Sequence, residues 1–86
     1  MQELHKGSIV YYAQIFKPPI AEYTVIELKV HTVNEEKHYF TGCETKGKKH
    51  TLLFNLKELG DNVFFNEKDA LERIEAAEEL YKNFKM

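Results

Sequence analysis

Tryptophan is absent from this chain, cysteine occurs once, and proline and glycine are held to two and four of 86 residues. Each shortage excludes something. The lone Cys43 forbids an internal disulfide, and small secreted domains usually carry several, so a reducing compartment, the cytoplasm, is expected. So little Pro and Gly leaves no room for a linker or a low-complexity tail. No stretch approaches the roughly 20 consecutive apolar residues that a membrane-spanning helix needs. The opening Met1–Lys6 also lacks the apolar core of a signal peptide. Positive charge is not in excess: 12 basic residues stand against 14 acidic ones, for a net charge of −2. That balance argues against gripping nucleic acid by neutralising its phosphates.

What is present suits one globular domain over residues 1–86. Hydrophobic residues make up 43% and charged ones 30%, outside the range of disordered chains. A domain this small buries roughly 60–65% of the surface that its unfolded chain exposes, so its stability is modest. Five Tyr and six Phe favour strands, and Tyr tolerates a half-buried place with its hydroxyl in water. Charge is segregated along the chain. Lys46, Lys48, Lys49 and His50 form a basic cluster, and Glu67, Asp69, Glu72, Glu75, Glu78 and Glu79 crowd the final third. A solvated turn and a solvated helix face account for both without a partner.

The periodicity predicts five strands and one helix. Residues 1–7 are polar and expected to fray. Ser8 to Phe16 is rich in β-branched and aromatic residues, with Ile9, Tyr11, Ala13 and Ile15 on one face, and Lys17-Pro18-Pro19 ends it. From Thr24 to Thr32 the set Thr24, Ile26, Leu28, Val30, Thr32 alternates with Val25, Glu27, Lys29, His31, the period of a half-buried strand. A polar turn at 34–37 leads to a third strand from His38 to Thr45. There Tyr39, Thr41 and Cys43 are assigned inward, which makes Cys43 an unreactive core thiol. Gly47 supplies the positive φ of a tight hairpin into His50–Asn55. A helical turn at 56–59 stopped by Gly60 precedes the short strand Val63-Phe64-Phe65.

Asn66 then caps a helix over 66–84, with Glu67 and Asp69 in its first turn. Its apolar stripe is Ala70, Leu71, Ile74, Ala77, Tyr81 and Phe84, and Phe65 is placed to staple onto Ala70. The expected class is α+β: an SH3-like five-stranded antiparallel small barrel over 8–65, closed by one C-terminal helix. An open, curled sheet with the helix across one face satisfies the same pattern.

No chemistry-bearing motif emerges. His5, His31, His38, His50 and Cys43 lack the close-paired spacing of metal ligands. No glycine-rich phosphate loop occurs, and the carboxylate pairs fall in a turn and on a helix surface. No catalytic residue, cofactor or metal is therefore expected. Binding remains. Inward positions account for one face, which leaves Tyr12, Phe16, Tyr23, Phe40 and Leu53 for the other face or for loops. The candidate partner-binding residues are Tyr12, Tyr23 and Phe40, with Lys46, Lys48 and Lys49. The alternative is a nucleic-acid-associated barrel that uses the lysines and His50, with Tyr39 or Phe40 as a stacking ring.

The blocks Tyr39-Phe40-Thr41-Gly42, Leu53-Phe54 and the run from Leu59 to Leu71 resemble the C-terminal half of a group of small uncharacterised proteins. Those come from phages and integrated mobile elements of Gram-positive bacteria. In the group, a strand ending in Val-Phe runs straight into a helix that opens with charged residues. The resemblance spans about residues 10–80 and implies a phage-type context without a reaction or a functional residue. Short acidic phage proteins often act by occupying a host protein's surface, and antagonists of host defence systems are one such class. The expectation is thus a non-catalytic protein that binds a host or phage protein.

Overall fold

The computed structural model describes residues 4–47 and 49–82. Along it run β1 (Ile9–Phe16), β2 (Glu22–Asn34), β3 (Tyr39–Glu44), β4 (Thr51–Asn55), a 3-10 turn (Leu56–Glu58), β5 (Val63–Phe64) and α1 (Glu67–Tyr81). All four strand pairings are antiparallel, in the order β4-β3-β2-β1-β5. The class is α+β, as expected. The ladder leaves β4 and β5 as edges, so the sheet is open and does not close on itself.

The sheet is nonetheless strongly curled. Tyr12 on β1 and Phe54 on β4 stand three strands apart, about 14 Å in a flat sheet. Their ring centroids lie 4.9 Å apart, edge to face. Inside the curl, Val10, Leu28, Val30, Phe40, Phe54 and Val63 form the main core. Around it pack Leu4, Leu52, Leu56, Leu59 and Phe65. On the outer face a second cluster joins Ala13 to Ala70 and Ile74 of α1, with Tyr11, Ile15, Tyr23, Val25 and Phe64 about it. The helix therefore lies against β1, β2 and β5 from outside.

Two covered faces explain most departures from the expected phases. Ile9, Tyr11, Ala13 and Ile15 do share a face, but it is the helix-covered one, and Ile9 remains 40% exposed beyond the helix. Val10 and Tyr12, in the opposite phase, serve the main core. In β2 the set Ile26, Leu28, Val30 points inward as expected. A register shift between Val30 and Thr32 then turns Thr32 outward and brings Val33 in.

The phase of β3 is the reverse of the expected one. Phe40 and Gly42 are buried, while Tyr39, Thr41 and Cys43 are half-buried on the outer side. Gly42 is the reason that Leu28 fits: a Cβ on it would stand 3.2 Å from the Leu28 Cβ. Cys43 is thus no core residue. Its Sγ donates to the Lys49 carbonyl at 3.2 Å.

The local signals held better. Gly47 and Gly60 have φ of 71° and 85°. The Asn66 side chain accepts the Asp69 N–H at 2.8 Å and caps α1. On α1, Ala70, Ile74 and Ala77 are buried, whereas Leu71 is 47% exposed, and Phe84 lies outside the described residues. Phe64, not Phe65, reaches the Ala70 cluster, because Phe65 turns into the main core. The N-terminal segment is held from Leu4 onward. Gly7 N–H donates to the Val30 carbonyl, and Val30 N–H to that of Ser8, both at 2.8 Å. Among the described residues no helix is long and apolar enough to cross a membrane.

Candidate functional site

Outside the footprint of α1, no described element covers the outer face of the sheet. Its side chains follow from the ladder. Ile9, Lys29, Cys43 and Thr51 form one cross-strand row, Thr32, Thr41 and Leu53 the next, and Asn34, Tyr39 and Asn55 the last. Leu53 is 69% exposed and Lys29 is also exposed, while Tyr39, Thr41 and Cys43 are half-buried. No carboxylate stands in these three rows. The face runs out to β4, whose outer edge is unpaired. Glu44 N–H donates to the His50 carbonyl and Leu56 N–H to that of His38. The even-numbered residues of β4 therefore face β3, and Thr51 and Leu53 turn their amides and carbonyls outward.

The basic turn borders this face. Lys49 adopts φ 55°, its carbonyl receives the Cys43 thiol, and its side chain is exposed. His50 Nδ1 lies 3.4 Å from a Glu44 carboxylate oxygen. Lys46 lines a cleft of about 260 Å³ on the same face, nearer α1, that Tyr11, Glu27, Thr45 and Glu67 also line. There the Thr45 hydroxyl donates to Glu27 at 2.6 Å. That bond holds the Glu27 carboxyl below its ordinary range, with help from the Tyr11 hydroxyl and the Lys46 charge. Tyr11 is pushed up, first by burial and then by the Glu27 charge beside it.

The six residues singled out from the sequence do not form one site. Phe40 is fully buried and stacks on Phe54 at 5.2 Å, so it offers no surface to a partner. Tyr12 and Tyr23 are half-buried on opposite sides of the sheet, one in each core cluster. Lys46 and Lys49 flank the β3–β4 turn, both exposed, and Lys48 lies outside the described residues. Lys29 stands on the wet side of β2, as its alternation predicts; Ile9 and Thr51 were missed as surface residues, and Tyr39, assigned inward, figured only as a stacking ring in the nucleic-acid alternative. The signal that could have found them was Gly42, which marks the crowded side of β3 and so sends Tyr39 to the other.

Among the described residues no three His, Cys, Asp or Glu are placed to hold a metal ion. No described Ser, Thr or Cys side chain hydrogen-bonds to a histidine ring. No known protein family, curated protein or solved structure matches this chain.

Proposed function

We propose that this chain is a non-catalytic accessory protein of phage or mobile-element type that works by binding another protein, and that the bare outer face around Leu53 and Tyr39 receives it. The observation that carries this reading is the exposed Leu53 beside a half-buried Tyr39, on a face whose only charged side chain in the three rows is Lys29. An apolar centre with an aromatic neighbour and a polar rim is the usual anatomy of a contact surface. Lys29, with Lys49 at the border, favours an acidic partner surface, and the open edge of β4 adds backbone groups to bind it. Inhibition of a host defence system is the role that the phage resemblance suggests. The same reading takes the fold as SH3-like. It is supported by β1 lying between β2 and β5 and by the 3-10 turn that joins β4 to β5.

Nucleic acid is the weaker reading, because Phe40 is in the core and only Tyr39 remains as a stacking ring. The test is capture from a Gram-positive bacterial lysate with the wild type and with Leu53→Asp, Lys29→Glu and Glu75→Lys variants. An acidic protein should be retained after nuclease treatment, lost with the first two variants and kept with the third. Capture that survives Leu53→Asp, or that vanishes with nuclease, defeats the proposal.

A further inference from the structure

We infer that the cleft where β1 runs past the end of β5 binds an extended peptide segment bearing a carboxylate side chain, which pairs with β1 as a short added strand. β5 pairs only with Tyr11 and Tyr12. The neighbouring chain makes its last bond to β1 where Ala13 N–H donates to the Asn62 carbonyl at 2.7 Å. That bond fixes a phase. Ala13 turns its amide away from β2, so Ile15, two residues on, does the same. Since β1 continues to Phe16, the N–H and C=O of Ile15 face a side that no strand of the sheet occupies. Such an edge is a template for another chain.

The cleft beside this edge, about 210 Å³, has a lining that selects for negative charge. Lys17, Arg73 and Asn62 line it together with Ile15, Leu80 and Tyr81, and among the described residues no carboxylate does. That is notable in a chain with 14 acidic residues against 12 basic ones. The clefts at Tyr11, at His31 and at Glu75 all carry glutamates. Arg73 is the only arginine of the chain. Its Nε donates to the Asp61 carbonyl at 3.2 Å, which tethers the guanidinium at one nitrogen. Neither Arg73 nor Lys17 forms an ion pair with a described residue. A guanidinium held this way can offer its remaining N–H groups to a carboxylate, with Lys17 as a second positive charge. Leu80, 72% exposed, gives an apolar wall for a neighbouring side chain of the peptide. The lining does not overlap the three rows of the outer face, so this site stands or falls separately from the Leu53 surface.

The experiment uses the full ¹⁵N-labelled chain and a pool of acetylated, amidated pentapeptides with Glu at the centre and Val or Thr at the flanks. Saturable shifts are expected at the amides of Ile15 and Lys17 and at Arg73 Nε–H. Replacing the central Glu by Lys, or making the Arg73→Gln or Lys17→Gln variant, should weaken binding at least about tenfold, equal to about 1.4 kcal/mol. The spectra of the variants report directly that they remain folded. Equal binding by a pool N-methylated along its backbone would reduce the site to an anion contact without strand pairing and overturn the inference. So would the absence of shifts at Ile15 up to millimolar peptide, or equal displacement by a thymidine oligonucleotide.

Discussion

Phe40→Ala is the substitution that most sharply separates a core ring from a surface ring. Phe40 is 0% exposed at the centre of the main core and stacks on Phe54, which in turn meets Tyr12. Removing a buried Phe side chain costs about 3–5 kcal/mol, from lost transfer energy and the cavity left behind. A domain of 86 residues has a total stability of about 4–13 kcal/mol. The variant is therefore expected to lose about a quarter of it or more. With a urea dependence of about 1.5 kcal/mol per molar, the unfolding midpoint should fall by about 2–3 M. Far-UV circular dichroism with tyrosine fluorescence follows the transition, since tryptophan is absent. Leu53→Ala, at a side chain 69% exposed, is the control and should change stability by less than about 0.5 kcal/mol. A Phe40→Ala loss below about 1 kcal/mol would refute the inward phase of β3 and with it the placing of Tyr39 on the outer face.

Ile74→Ala should cost about 2–4 kcal/mol and Leu71→Ala less than about 1, because Ile74 is 8% and Leu71 47% exposed; equal losses in urea unfolding would show that α1 is docked by another face. Ala21 holds φ 50°, which costs an L-residue about 1–2 kcal/mol. Ala21→Gly should therefore raise stability by about 0.5–1 kcal/mol after the entropy of Gly is subtracted, and a lowered urea midpoint would contradict this. The Glu27 carboxyl is depressed below its ordinary value of 4.5, first by the Thr45 hydroxyl. Its stabilising effect is thus complete above that value and lost as pH falls through the lower folded one. Thr45→Val should move the carboxyl ¹³C titration of Glu27 upward, and an unmoved titration would show that the hydroxyl is not the cause.

The features that the sequence made legible are those decided within a few residues. Asn66 caps α1 because an amide oxygen three residues before Asp69 reaches its N–H. Gly47 and Gly60 take positive φ where the chain turns. The 3-10 turn Leu56–Glu58 is closed by Asn55 and Glu58 side chains that hydrogen-bond each other's backbone amides or those adjacent. The strand positions follow from β-branched and aromatic runs with a period of two.

Facing was legible only in β2, where the polar side chains Glu27, Lys29 and His31 mark one phase. β1 is apolar in both phases, with Val10 and Tyr12 against Tyr11, Ala13 and Ile15. Both phases are needed, since the curl covers one side and α1 the other. β3 carries an aromatic ring in each phase, Tyr39 and Phe40, and its alternation is silent. Only the approach of Gly42 to Leu28 and the register shift after Val30 decide which ring enters the core. A slip of one residue exchanges every side chain of a strand between faces. The candidate surfaces depend on that choice, and on where α1 comes to rest, so they are properties of the tertiary structure: strand composition sets what a strand can bury, and only the packing of the whole sheet sets which side it does.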